Sequence, residues 1–306
     1  MKILSGFGGW PRGPLHVALG VFDGVHLGHQ ALIAQLVSGA LDAGGATAVA
    51  STFEPLPIEV LAPAAPPSAL SGTQERCRLL MEAGAAAVAI FGFDAAFAAL
   101  APGDFARRLA RAGEVRRVVV GHDFRFGRDR GGDVRLLREL GEPCGFTVDE
   151  IVPLQAAGEP VSSTRIRNAL RSGAVELAAE LLGRPYAVGG EVVHGERRGR
   201  GLGYPTINIA TAAGRLLPGD GIYAAWIDAR GRRYAAAASL GVRPTFGAGA
   251  RRLEAYLLDF GGDLYGEEVT ATFVRRLRDE LHFESAEALS AQIARDVVAA
   301  RSALTA

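Results

Sequence analysis

The chain has 306 residues, enough for two domains with separate cores, and its 33 basic and 33 acidic side chains leave no formal net charge. That balance speaks against a general nucleic-acid binder, whose affinity rests on an excess of basic charge. Two cysteines, Cys77 and Cys144, exclude a disulfide framework and a four-cysteine zinc site and read as buried free thiols.

From residue 14 to about 155, strand-like and helix-like runs alternate. "LHVALGVF" sets Val17, Leu19 and Val21 on one face, and "HQALIAQLVSGAL" follows with Leu32, Ile33, Leu36 and Val37 at helical spacing. "TAVASTF", "AAAVAIF", "VRRVVVG" and "TVDEIVPL" read as further strands; "TQERCRLLMEAG", "DFARRLARAG" and "DVRLLRELG" read as the helices between them. This alternation predicts a parallel sheet with helices on its faces, and such sheets bind ligands at the carboxyl ends of their strands.

Two short helices are expected over residues 162–183, followed by a linker at "GRPYAVGG". Beyond it the texture changes. "YAVGGEVV", "TINIA", "GIYAAWID", "RYAAAASL", "LEAYLLDF" and "EVTATFV" follow one another without helices, which predicts a small antiparallel six-stranded barrel. The final "SAEALSAQIARDVVAARSAL" is amphipathic along Leu289, Ile293 and Val297 and is expected to pack on the barrel. The expected boundary divides 1–185 from 186–306. No signal pattern and no run of bilayer length is present in the sequence, so the expectation is a soluble, cytoplasmic protein.

Five stretches carry chemistry-bearing residues. "GVFDGVHLGHQ" puts His26 and His29 at a strand-to-helix turn, where Gly20, Gly24 and Gly28 let the backbone approach a ligand. A helix N-terminus favours anions, and two imidazoles there can donate to phosphate oxygens; a metal site would need a third ligand that no neighbour plainly supplies. "VSSTRIR" offers Ser162, Ser163 and Thr164 as helix caps or phosphate contacts, with Arg167 one turn on as a phosphate clamp or a solvent-facing cation. "GHDFRFGRDRGGD" carries Phe124 and Phe126, able to stack on an aromatic ring, among arginines that also suit a solvated loop or an RNA patch. In "HGERRGRGLGYPTINI", Thr206 and Asn208 share one strand face while Ile207 and Ile209 point to the core. A hydroxyl and an amide oxygen side by side suit Mg²⁺, or simply face water, and the loop with Gly195, Arg200, Gly201 and Gly203 can fold over a nucleotide. Glu254, acidic within an apolar strand, is a candidate general base or a solvent-facing side chain.

These stretches together resemble the bifunctional prokaryotic riboflavin kinase/FAD synthetase family, and the resemblance runs along nearly the whole chain. "GVFDGVHLGHQ" is similar to the nucleotidyltransferase signature GxFDxxHxGH, "VSSTRIR" to the SSTxIR element, "GHDFRFG" to GxDFRFG, and "PTIN" to the PTAN motif with Ile207 in place of alanine. The resemblance implies a Rossmann-like nucleotidyltransferase domain and a riboflavin kinase barrel. It implies that His26 and His29 act on the reacting phosphate, with Gly20, Phe22, Asp23, Gly24, Ser162, Ser163, Thr164 and Arg167 around the nucleotide. It further implies that Asp123, Phe124 and Phe126 form the flavin side, that Thr206 and Asn208 hold Mg²⁺ and ATP phosphates, and that Glu254 is the kinase base. Implied substrates and products are ATP, riboflavin, FMN and FAD, with no nucleic-acid or membrane partner and a monomer or weak homo-oligomer. Two positions depart from the family pattern: Leu56 and Tyr256 stand where histidine is usual. Two rival readings are a barrel that senses flavin without kinase activity, and a nucleic-acid binder using the arginine loops.

Overall fold

The computed structural model describes residues 2–64, 69–195, 203–241 and 251–305. They fall into two compact units, Met1–Ser163 and Thr164–Ala306.

The first unit is built on strands β1 (Ile3–Ser5), β2 (Pro14–Leu19), β3 (Thr47–Glu54), β4 (Ala87–Gly92), β5 (Glu114–Gly121) and β6 (Thr147–Ile151). They form one parallel sheet in the order β1-β4-β3-β2-β5-β6. Helix α1 (Leu27–Asp42) joins β2 to β3, and α2 (Pro57–Leu61) and α3 (Thr73–Glu82) lie between β3 and β4. They are followed by α4 (Ala95–Ala98), α5 (Pro102–Ala112) and α6 (Val134–Cys144). A short hairpin, β7 (Gln155–Ala156) with β8 (Glu159–Pro160), closes the unit.

Because successive side chains of a strand point to opposite faces, the sheet makes two cores. Leu15, Val17, Leu19, Val118 and Val120 pack with Phe105, Leu109 and Leu137 on one face. Ala18, Ala48, Ala50 and Val119 pack with Leu32, Ile33, Leu36 and Leu80 on the other. The chain turns from β2 outward to β3 on one side and to β5 on the other. The crevice at the carboxyl ends of β2 and β5 is therefore the switch point where α/β sheets bind ligands.

The second unit begins with α7 (Ser163–Arg171, whose first residue closes the first unit) and α8 (Val175–Leu182). Both helices belong with the barrel by packing: α8 lies on β14 and β9, and the Gly219 N–H donates to the Leu170 carbonyl at 2.7 Å. The barrel strands are β9 (Tyr186–Val193), β10 (Thr206–Thr211), β11 (Gly221–Ala229), β12 (Arg232–Gly241), β13 (Arg252–Leu257) and β14 (Glu268–Arg278). They close in the order β10-β13-β12-β11-β14-β9, all pairs antiparallel. Val188, Ile209, Ala238, Leu253, Ala255 and Phe273 fill the interior. The last helix, α9 (Ala286–Thr305), packs on β11, β12 and β14. Its Leu289, Ile293 and Val297 stripe is half-buried, and Arg278 clamps buried Asp296 through two bonds of 2.8 and 2.6 Å.

Three details depart from the sequence expectation. Strand β2 stops at Leu19, so Val21 leaves the apolar face and is exposed. An outer strand, β1, joins the sheet beside β4; three residues are too few to show alternation. Cys77 is buried as expected, but Cys144, in the last turn of α6, is only half-buried. Among the described residues no helix is long and apolar enough to cross a membrane.

Candidate functional sites

The first site is the turn from β2 into α1. Phe22, Gly24 and Val25 all have positive φ, at 53°, 81° and 40°. For Phe22 and the β-branched Val25 this backbone costs about 1–2 kcal/mol each. A buried polar knot offsets that strain. The Asp23 carboxylate accepts from the Leu70 N–H at 2.9 and 3.0 Å, the Ser71 N–H at 3.0 Å and the Ser71 hydroxyl at 3.2 Å. The Gly24 N–H in turn donates to Ser71 Oγ at 2.9 Å, and the Ser163 hydroxyl donates to the Asp23 carbonyl at 3.0 Å. The Phe22 ring lies against Gly20, where a β-carbon would sit 2.8 Å from it.

The knot delivers two imidazoles to the start of α1. His26 is the N-cap residue, and its Nδ1 accepts from the His29 N–H at 3.3 Å. The His26 and His29 rings stack 3.5 Å apart at 17°, with Phe22 edge-on to His29 at 5.1 Å. His26 is buried and His29 half-buried. Of the motif residues, then, Phe22 and Asp23 shape the turn with their side chains, while the histidines stand at the start of α1, just past the carboxyl end of β2.

Residues Ser162 and Ser163 close the first unit, both half-buried; Thr164 and Arg167 lie in the first turns of α7, within the second unit. Leu56 is buried at the N-cap of α2.

The loop after β5 separates its two phenylalanines. Phe124 is half-buried and stacks on Phe126 at 5.7 Å and 18°. Phe126 is a core residue: it packs on Phe105 at 5.5 Å and covers Gly132, whose β-carbon would overlap its ring. The reciprocal Phe126–Gly132 backbone pair (3.0 and 2.9 Å) accompanies this inward placement of the Phe126 ring, so of the two candidate stacking residues Phe124 is the more exposed. Asp123 is exposed at the start of the loop.

The second site lies on the barrel. Register sets Asn208 of β10 directly opposite Glu254 of β13, and Thr206 opposite Tyr256. Ile209 and Leu253, one step along, are buried inside, so Thr206, Asn208, Glu254 and Tyr256 share the half-exposed outer face. Gly195 abuts the Asn208 carboxamide so closely that a β-carbon there would overlap it. Tyr204 packs edge-on to Tyr256 at 5.3 Å, and His194 lies 3.9 Å from Tyr265, two aromatic contacts that spacing alone did not reveal. Gly203 has φ 84° with nothing near its missing β-carbon; Arg200 and Gly201 lie outside the described residues. No cluster of three His, Cys, Asp or Glu that could hold a metal occurs among the described residues. The neutral oxygens of Thr206 and Asn208 beside the Glu254 carboxylate are a donor set that fits Mg²⁺, which keeps water and substrate phosphates as its other ligands.

A Rossmann-ordered sheet with paired histidines at its switch point, followed by a closed barrel with a hydroxyl–amide–carboxylate face, defines a two-unit α/β-plus-barrel protein with a candidate ligand site in each unit. The riboflavin kinase family model matches residues 182–304 and the FAD synthetase model residues 12–165. A bifunctional riboflavin kinase/FMN adenylyltransferase of Pseudomonas fluorescens is 40% identical over 92% of this chain and 91% of its own length. That of Escherichia coli K12 is 36% identical over 98% of this chain and 97% of its own. A crystal structure described as a macrolide-efflux protein from Streptococcus pneumoniae superposes with a TM-score of 0.88 at 32% identity, covering 98% of this chain and 99% of that one. The chain belongs to the bifunctional riboflavin kinase/FMN adenylyltransferase family.

Proposed function

We propose that the two units divide the two reactions: the barrel phosphorylates riboflavin to FMN, and the parallel-sheet unit adenylylates FMN to FAD. In sequence we assign 1–185 to adenylyl transfer and 186–306 to the kinase, so that α7 and α8, although they pack within the second compact unit, count with the adenylyl-transfer region.

In the barrel, Glu254 takes the proton from the 5′-hydroxyl of riboflavin as that oxygen attacks the γ-phosphate of ATP, and ADP leaves. Thr206 and Asn208 orient the phosphates, while Gly195, Arg200, Gly201 and Gly203 cover the nucleotide. Mg²⁺, held by Thr206 and Asn208 when bound, supplies charge neutralisation on the phosphate oxygens. The observation that carries this reading is the Asn208–Glu254 cross-strand pair, which sets a hard ligand and a base side by side. The same pair argues against a barrel that only senses flavin.

In the sheet unit, an FMN phosphate oxygen attacks the α-phosphate of ATP, the bond to the bridging oxygen breaks, and pyrophosphate leaves. His26 and His29 donate to the α-phosphate oxygens as charge builds there, with the N–H groups that open α1. The stacked imidazoles at the helix start support this reading. Gly20 and Gly24 shape the turn that the nucleotide meets, and Ser162 and Ser163 contact phosphate. Phe124 faces the flavin; Asp123 and Phe126 shape that side.

The reading makes the protein a cytoplasmic enzyme with small-molecule partners only, monomeric or weakly self-associating. It is tested with the full chain, ATP and Mg²⁺, following flavins by chromatography. Glu254→Ala is expected to stop FMN formation yet still make FAD from supplied FMN. His29→Ala should do the reverse and let FMN accumulate. Ordinary FAD synthesis from riboflavin by either variant would overturn the role given to that residue.

A further inference from the structure

We propose that Arg76 of α3 is a positioning residue for adenylyl transfer, holding the histidine turn through the loop beneath it; the proposal rests on the roles given to His26 and His29. Arg76 is 1% exposed, the most completely buried cation among the described residues. Its Nη2 donates to the Phe53 carbonyl at 2.7 Å and lies 3.5 Å from the Glu54 carboxylate; Nη1 donates to the Ser71 carbonyl at 3.4 Å. Glu54 also accepts from the Thr73 hydroxyl. One guanidinium thus joins the carboxyl end of β3 to residues 71–73. Ser71 in turn is the residue whose N–H and hydroxyl hold Asp23 and whose Oγ receives the Gly24 N–H.

The chain of contacts runs Arg76, Ser71, Asp23, then the turn that carries His26. Each link is a hydrogen bond to or from a buried group, so displacement at one end is felt at the other. A buried cation is a costly way to fasten a helix, since an apolar side chain of similar volume would serve stability as well. Arg76 Nε has no partner, which adds to that cost. What the guanidinium supplies instead is direction: two carbonyls and a carboxylate from two chain segments fixed to one planar group.

The test uses the full chain with FMN, ATP and Mg²⁺, measuring kcat, KM for ATP and thermal melting. Arg76→Gln is expected to lower kcat for FAD formation about 10–100-fold with KM for ATP little changed, since a shift of about 1 Å at the reacting groups costs that much. Arg76→Lys, which keeps the charge, should recover part of the loss. Leu80→Ala, on the same helix and fully buried in the neighbouring core, is the comparator for loss of stability alone; it should melt earlier yet turn over normally per folded molecule. Riboflavin phosphorylation should stay unchanged throughout. In single turnover, Arg76→Gln should add little to His29→Ala, because Arg76 acts through the placement of the histidines and not independently of them. The proposal is overturned if Arg76→Gln loses activity only in proportion to its folded fraction, as Leu80→Ala does, or if its effect multiplies with that of His29→Ala. A fully active His29→Ala overturns the histidine assignment instead, whereas a fully active Arg76→Gln beside an inactive His29→Ala overturns only this proposal.

Discussion

Replacing Gly195 by alanine measures how much of the kinase rate depends on where Asn208 is held. A β-carbon built at Gly195 would lie 2.6 Å from Cγ and 2.8 Å from Oδ1 of Asn208. Ordinary contact between such atoms needs about 3.5–4.0 Å, so the carboxamide must retreat by roughly 1 Å. A misplacement of about 1 Å costs on the order of 10²-fold in rate, or ~2.7 kcal/mol of barrier.

The expected result is a kcat for riboflavin phosphorylation about 10²-fold down, with adenylylation of supplied FMN at the wild-type rate. Gly189→Ala, in β9, is the control. Its β-carbon would meet nothing nearer than 3.8 Å, an ordinary contact, so both reactions should keep their rates. The assay is chromatographic separation of riboflavin, FMN and FAD over time, started from riboflavin and separately from FMN. If Gly195→Ala phosphorylates riboflavin at full speed, the position of Asn208 is not used in the transition state, and the proposed metal and phosphate role fails with it.

The two phenylalanines after β5 should part company: Phe126→Ala is expected to cost about 3–5 kcal/mol of stability, read as an earlier melting transition. Phe124→Ala should melt nearly as wild type but raise KM for FMN, and unchanged KM would remove it from the flavin side. The buried His16 imidazole has its pKa lowered, first by burial and then by the Arg117 guanidinium beside it, with Asp149 opposing. Its neutral form is the folded one, so the stability it contributes is present above its ordinary value of 6.5 and is lost as pH falls below that toward the depressed folded value. The melting temperature of the sheet unit should therefore drop on acidification from pH 7 in the wild type more steeply than in His16→Gln; equal slopes refute the linkage. Chelation with EDTA should stop riboflavin phosphorylation and added Mg²⁺ restore it, while full turnover in EDTA would remove the metal from the reading.

Periodicity made the strands and helices readable because each buries one side of its repeat. The run of Val118, Val119 and Val120 is buried on both faces of a central strand, and "LEAYLLDF" alternates inward Leu253, Ala255 and Leu257 with outward Glu254 and Tyr256. The outward positions were also readable, since a strand's period of two fixes which residues share a face. That Glu254 lies opposite Asn208, rather than two residues along, is a property of register between strands more than 40 residues apart, and no local pattern encodes it. Phe124 and Phe126 show the same limit. Two apart in the sequence, they read as equivalent, but one lies in the core, where its backbone pairs with Gly132. Arg76 was hidden for a different reason: an arginine in an amphipathic helix reads as solvent-facing, and only the meeting of β3 with the loop at Ser71 gives it buried partners.

The histidine turn shows how one short motif divides its work. Phe22, Asp23, Gly24 and Val25 are all buried, and their side chains or backbone angles are committed to the turn itself. His26 is committed in part, since its Nδ1 caps α1; His29, half-buried and one turn in, is the member most open to a ligand. On the proposed reading, substitution of the first group therefore acts by moving the histidines, and substitution of His29 acts on the reacting phosphate directly. The kinase face needs no such knot, because the strands on either side already fix Thr206, Asn208 and Glu254 in one plane. Strain gathers where a single loop must aim two side chains at one atom, and it is absent where three paired strands do the aiming.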